Sequence, residues 1–310
     1  MIGIGAISSY VPDERINNLA QADKFGETSD FVHSKIGALS LPVMSGGMQT
    51  SDLAGLAVNH LSSQHGLDQQ LIDALVVVTQ NPDDMGLPHT AAILQHKLGL
   101  SNTVAAFDVS LGCSGYVYGL SILRGLMEQA GLKNGVLVTA DPYSCVIDRE
   151  DRITSLLFGD AATATWLSDN AEWTFGQPLL QTDGSGAESL YVDHQNQLHM
   201  NGRQVFNFAA MRVPKQIDQY LEQEGLALTD IDLFCLHQGS GAIIDAISRR
   251  YPTVRDRFVK DIQETGNTVS SSIPLLLEKY VMGKDINRVI ISGFGVGLSW
   301  ATNVIEKVKK

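Results

Sequence analysis

A thiol, an imidazole and a carboxamide, Cys113, His237 and Asn267, stand at matching points of a pattern that occurs twice. In the first half, apolar runs reach Thr79, Cys113 and Ala140, at steps of 34 and 27 residues. In the second, they reach His237, Asn267 and Gly293, at steps of 30 and 26. Matched steps of this size are the mark of an internal duplication. They put all three side chains at the same kind of strand end, where an α/β protein assembles a site. A thiolate is a nucleophile, and a neutral imidazole gives or takes one hydrogen bond on each side. Singly, each residue has an ordinary role: an inert buried thiol, a structural histidine, a turn or helix-cap asparagine. The matching positions are what join them.

Cys113 lies in Gly112-Cys113-Ser114-Gly115, after the apolar run AAFDVSL, and Tyr116, Leu120, Leu123 and Met127 then mark one helix face. At a helix start, exposed N–H groups and the dipole favour the thiolate. Cys145 and Cys235 read as inert, buried residues, with Cys235 inside the strand run 233–236. Three cysteines are few and odd in number, which points to reduced thiols rather than a disulfide framework.

These residues need a large scaffold. The chain has 310 residues, 44% hydrophobic and 18% charged, enough for one large core or two fused ones. Apolar, β-branched runs (LVVV, FDV, GVLVT, LFCL, RVIIS) alternate with stretches of helical period, which predicts mostly parallel sheets flanked by helices. A division falls near residues 165–180, where ATATWLSDNAEWTFGQP loses its period, giving halves at 1–170 and 171–310. MIGIGAISSYVP does not make a secretory signal, and no apolar run approaches the roughly 18 residues of a membrane span, so a cytoplasmic protein is expected. A net charge of −12 argues against a nucleic-acid partner. Arg249, Arg250, Arg255, Arg257 and Lys260 form a local basic cluster, by itself a solvated face. No HExxH or Cys/His cluster suggests a metal. The glycine-rich 293–297 resembles a dinucleotide loop, but the 13 residues after it leave no room for the acidic ribose ligand. A papain-like signature and a GxSxG elbow are missing at the cysteine.

Read together and in order, AFDVSLGCSGYVYGL, LLFGDAATA, DGSGAESL, LHQGSGAII, ETGNTVSSSIPLLL and GFGVGLSW resemble the β-ketoacyl-acyl-carrier-protein synthase III family of the thiolase superfamily over nearly the whole chain. The resemblance implies an α/β thiolase-like fold, duplicated and five-layered (α/β/α/β/α), and a homodimer. It implies that Cys113 takes an acyl group from a CoA or carrier-protein thioester, with the amides of Cys113 and Val296 as the oxyanion hole. His237 and Asn267 would then hold the enolate left by decarboxylation of a malonyl-type thioester. No permanent cofactor is implied; CoA or phosphopantetheine thioester is a substrate.

By the same resemblance, Phe31, Lys35, Arg152, Arg203 and Ser240 would contact CoA. Phe31 stands for a family tryptophan, Lys35 for an arginine and Ser240 for an asparagine, while Ala242 replaces an arginine that docks pantetheine. Leu87, reaching across from the partner subunit, with Phe158, Met200 and Asn201, would shape the acyl pocket. Asn201 replaces an alanine, which suggests a shorter or more polar acyl group. Arg249 and Arg250 fall where the family docks its acidic carrier protein. These departures favour a specialised relative serving secondary metabolism. Two other readings remain open: acyl transfer to an alcohol, amine or β-keto acceptor without decarboxylation, and a silent dimer partner of a catalytic homologue.

Overall fold

The computed structural model describes residues 1–308. Its first seven strands are β1 (Gly3–Tyr10), β2 (Arg15–Asn17), β3 (Ser40–Pro42), β4 (Ala74–Val78), β5 (Ala105–Val109), β6 (Asn134–Ala140) and β7 (Ala162–Ser168). The others are β8 (Trp173–Phe175), β9 (Leu179–Thr182), β10 (Leu190–Val192), β11 (Leu198–Met200), β12 (Leu233–Leu236), β13 (Arg288–Gly295) and β14 (Ser299–Lys307). The helices are α1 (Asn18–Lys24), α2 (Ser29–Phe31), α3 (Thr50–His65), α4 (Thr90–Lys97), α5 (Gly115–Ala130), α6 (Arg152–Ser155), α7 (Gly202–Glu224), α8 (Gly241–Ser248) and α9 (Ser272–Tyr280).

The first half orders its strands β5-β4-β6-β7-β1, and the second runs β12-β13-β14 with β8 and β9 both on β14. A single pair, Ile4 with Trp173, links the two sheets. Helices α3, α4 and α5 precede β4, β5 and β6 as α7, α8 and α9 precede β12, Phe258 and β13. Phe258 makes one parallel bridge to Phe234, so the segment leading to Asn267 is a vestige of the strand expected there.

Alternation along the strands builds the layers. Leu75 and Val77 of β4 pack with α3 and α4, whereas Val76 and Val78 face α5. Cys235, Val289 and Ile291 face the same middle layer, where α5 meets Ile273, Leu276 and Leu277 of α9. Phe234, Leu236 and Ile290 turn outward to α7 and α8. The result is α/β/α/β/α. Each fully buried Leu, Ile or Val is worth roughly 1.5–3 kcal/mol, and the middle layer draws many such side chains from both halves. Tyr116, Leu120, Leu123 and Met127 form the buried face of α5, as their spacing predicts.

Two expectations need correction. The sheets are mixed, not mostly parallel: β4 pairs in parallel with β5 and β6, and β12 with β13, but β1, β7, β8, β9 and β14 pair antiparallel. The stretch that loses its period in the sequence nonetheless forms strands, β7, β8 and β9, within residues 162–182. Turns break that stretch into pieces too short for a periodic signal.

Candidate active site

Cys113 sits directly before α5, and β13 passes beside it on glycines. A Cβ on Gly293 would lie 2.5 Å from the Cys113 carbonyl oxygen, and one on Gly295 2.7 Å from Sγ. The side chain is only 4% exposed. Burial, with the charge of Asp141 adding to it, pushes the thiol up to about 12, while the backbone N–H groups of Cys113 and Val296, both directed at the sulfur, act the other way. Desolvation thus works against the helix-start amides and, on balance, favours the thiol. The same two amides are the expected pair of oxyanion donors, converging on the point where a carbonyl bound to Sγ would sit.

His237 follows β12 and is buried. Its Nδ1 lies 2.8 Å from Ser272 Oγ, and its ring meets that of Phe294 edge to face at 5.3 Å. Burial pulls its pKa down to about 3 against a bond to the Val269 carbonyl, so the imidazole is neutral at physiological pH. With Nδ1 engaged, Nε2 is the nitrogen left for a substrate.

Asn267 enters through backbone bonds that lock the halves together: its N–H donates to Leu157 O at 2.9 Å, and Gly159 N–H donates to its carbonyl at 3.2 Å. Val269 N–H donates to Asn267 Oδ1 at 2.9 Å, which fixes the carboxamide orientation. Nδ2 then has only a long contact, 3.5 Å, to Gly239 O. Val269 holds a left-handed backbone (φ 52), rare for a β-branched residue, and through it bonds both Asn267 and His237.

Cys113, His237 and Asn267 line one cavity of about 530 Å³. Its mouth carries Phe31, Lys35, Arg152 and Arg249, and Phe158, Met200 and Ser240 line it further in. Arg152 is paired with Glu27 and lies over the Phe31 ring at 5.8 Å. Ser240 also caps α8, accepting from Ile243 N–H at 3.3 Å.

Other expected site residues lie elsewhere. Asn201 is exposed and caps α7, accepting from Gln204 N–H at 3.1 Å, so its amide does not polarise an acyl channel. Arg203 is exposed beside it, outside the cavity that holds Phe31 and Arg152. Leu87 is 86% exposed on the loop before α4, and Arg250 is exposed beyond the cavity. Within the basic cluster, Lys260 pairs with Asp245 and Arg257 with the carbonyls of Thr229 and Ile231, which leaves Arg249, Arg250 and Arg255 exposed. Cys145 is exposed rather than buried; Cys235 is buried in β12 as expected.

Ser272, Phe294, Asp141, Gln80 and Tyr143 have no signal of their own in the sequence. Asp141 follows the strand end at Ala140, and that position was the available clue. It is fully buried and accepts from Gln80 N–H at 2.7 Å and Ser270 Oγ at 2.5 Å. Burial nevertheless raises its carboxyl to about 6. Among the described residues, no group of three or more His, Cys, Asp or Glu side chains could hold a metal ion, and no helix is long and apolar enough to cross a membrane.

Residues 107–184 match the family model described as 3-oxoacyl-[acyl-carrier-protein (ACP)] synthase III, and 221–307 match that of its C-terminal part. The β-ketoacyl-[acyl-carrier-protein] synthase III of Lactococcus lactis subsp. cremoris (strain MG1363) is 36% identical over 321 residues, 96% of each chain. The synthase III structure from Thermus thermophilus superposes with a TM-score of 0.92 at 32% identity, covering 99% of this chain and 100% of that one. The priming β-ketosynthase of the R1128 polyketide pathway gives 0.89 at 26% identity, covering 99% and 96%. The fold is therefore the duplicated, five-layered thiolase type.

Proposed function

The chain belongs to the β-ketoacyl-[acyl-carrier-protein] synthase III family, and on that premise we propose that Cys113, His237 and Asn267 carry out its chemistry. The protein is an acyltransferase of the decarboxylative condensing kind. The observation that carries the assignment is the convergence of these three groups on one cavity, with two backbone N–H donors aimed at the thiol.

In the first half-reaction, Sγ attacks the carbon of an acyl thioester of CoA or of a carrier protein's phosphopantetheine. The donor's C–S bond breaks, and its thiol leaves with the proton given up by Cys113. The amides of Cys113 and Val296 hold the oxyanion; one such donor is worth about 2.7–4 kcal/mol in the transition state. In the second, a malonyl-type thioester loses CO2, and the electron pair of the broken C–C bond becomes an enolate. Asn267 Nδ2 donates to its oxygen and His237 Nε2 faces it; the Ser272 hydroxyl donates to the Val269 carbonyl at 3.0 Å in the resting site, so Nε2 donates once that hydroxyl turns its hydrogen onto Nδ1 and the ring proton moves to Nε2. The enolate carbon attacks the acyl carbon, the C–Sγ bond breaks, and Cys113 leaves as a thiolate that takes up a proton from solvent.

Phe31, Lys35, Arg152 and Ser240 suit a CoA or pantetheine arm, and Arg249 and Arg250 suit an acidic carrier domain. We read the chain as halves 1–170 and 171–310 working as a homodimer. Edge strand β5 supports the dimer: Ala105, Ala106, Phe107 and Val109 are only half buried, with no further strand beside them among the described residues. Three unpaired thiols fit the reducing cytoplasm. Incubation with acyl-CoA and acyl-carrier thioesters, with mass measurement of the Cys113 peptide and of released CO2, tests the reading. Labelling lost in Cys113→Ala is expected; labelling elsewhere refutes it.

A further inference from the structure

A second recess, of about 200 Å³, lies behind His237. Among the described residues, its lining and that of the Cys113 cavity have no member in common, and His237 stands between them. The imidazole lines the cavity, while its Nδ1 lies 2.8 Å from the hydroxyl of Ser272, which lines the recess. Ser272, Leu275, Leu276 and Lys279 share one face of α9, so the recess runs along that helix from its first, buried residue to an exposed one. Its inner end is polar and fixed. Gln238 is buried there: its Nε2–H donates to Leu236 O at 2.8 Å, its Oε1 accepts from Asp261 N–H at 3.0 Å, and its own N–H reaches Ser272 Oγ at 3.4 Å. Thr268 also lines the recess and is only 1% exposed, yet its hydroxyl has no hydrogen-bond partner among the described residues. A buried hydroxyl left unpaired costs about 1–3 kcal/mol, which a water in the recess would recover. There is room for several, since each takes about 30 Å³ in the liquid. The rim carries Asp261, Glu264 and Glu278 against Lys279, which pairs with Asp261 at 2.6 Å. That excess of negative charge raises the local proton concentration.

We propose that this recess is the proton inlet of the condensation step: water held by Thr268 passes a proton through the Ser272 hydroxyl to His237, and His237 passes one to the sulfur of Cys113. This rests on the catalytic reading of Cys113 and His237. Condensation with loss of CO2 takes up one proton, at a moment when the pantetheine arm fills the front cavity. As the C–Sγ bond breaks, the Nε2–H bond breaks and an S–H bond forms. The Ser272 proton moves to Nδ1, and a recess water gives Ser272 its own proton and regains one from solvent. One solvent proton is consumed for one thiol restored. The ring then carries its proton on Nδ1 and Ser272 donates to the Val269 carbonyl, which is the arrangement of the resting site. Once the arm has left, Nε2 takes a proton from solvent in the cavity and Nδ1 returns one through Ser272, which restores the donor for the next enolate.

The test uses Thr268→Val in the full-length protein, which keeps the side-chain shape and removes the hydroxyl. Acyl loading is read from the mass of the Cys113 peptide, and condensation with a malonyl thioester from the β-keto product, in H2O and in D2O. Condensation should slow by at least about fivefold and its solvent isotope effect should rise by at least about 1.5-fold, with loading within about twofold of wild type. Thr268→Ser should restore wild-type values. An unchanged condensation rate overturns the proposal. So does a slower rate with an unchanged isotope effect, which is what a merely structural role gives. If Thr268→Val does not fold, Leu275→Trp, which fills the recess from its half-buried wall, carries the same expectation and decides in its place. Failure of every donor to label Cys113 refutes the catalytic reading instead, so the two failures are distinguishable.

Discussion

Asn267→Ala separates the two half-reactions. The substitution removes Nδ2, whose remaining contact in the protein is the 3.5 Å approach to Gly239 O, and which is therefore free to donate to an enolate oxygen. Loss of one preorganised donor of this kind costs about 2.7–4 kcal/mol, so condensation should fall by roughly 10²- to 10³-fold. Acyl loading uses the amides of Cys113 and Val296, which the substitution leaves in place. It does strand the buried Val269 N–H that donates to Oδ1, at a stability cost of about 1–3 kcal/mol, so both rates are to be taken well below the melting temperature. Loading is followed by the mass of the Cys113 peptide, and condensation by CO2 released from a malonyl thioester. Loading within about threefold of wild type with condensation down at least a hundredfold is the expected pair. Equal loss of both rates would refute the division of labour, because Asn267 would then be shaping the nucleophile's pocket rather than holding the enolate.

Gly295→Ala puts a methyl 2.7 Å from Sγ and should slow loading by at least about a hundredfold with the circular dichroism spectrum unchanged; a rate near wild type would show that β13 shifts freely. Asp141 has its folded pKa raised to about 6 from 3.8, so its contribution is fully present below pH 3.8 and is lost as pH rises through 6. Asp141→Asn removes that loss, worth up to roughly 3 kcal/mol for the 2.2-unit rise. Its melting temperature relative to wild type should therefore climb between pH 4 and about 7; a constant difference would refute the buried charge. His237 titrates the other way, from 6.5 to about 3, but is common to both proteins and cancels in the comparison. Arg250→Glu, outside the cavity, should lower kcat/KM for a carrier-protein donor by about five- to tenfold, chiefly at low salt, and leave a CoA donor unaffected; equal effects would end the docking assignment.

The repeat was legible because strand ends in a duplicated unit follow from apolar period, and Cys113 and His237 sat just past those ends, with Asn267 after the vestigial strand at Phe258. What escaped were properties set by distant neighbours. The charge state of Cys113 depends on burial completed by Gly295 and Val296, more than 180 residues away in sequence. Asn201 could be placed near the acyl channel by sequence, but whether its amide pointed inward or capped a helix is decided by the start of α7. The mixed sheets escaped for a similar reason: β6 and β7 are both buried over nearly their whole length, and nothing in such burial encodes their relative direction. Ser272 and Tyr143 look like any helix-start serine and loop tyrosine until His237 and Gln80 are folded against them.

The helices that begin at the nucleophile and just past the carboxamide bury their apolar faces in one shared layer, so the two halves are joined by a common core. Each thioester must come and go lengthwise through the passage beside Phe31, Arg152 and Arg249. On the proposed reading, the first carrier withdraws empty-handed before the next arrives, because both use the one passage that reaches the thiol.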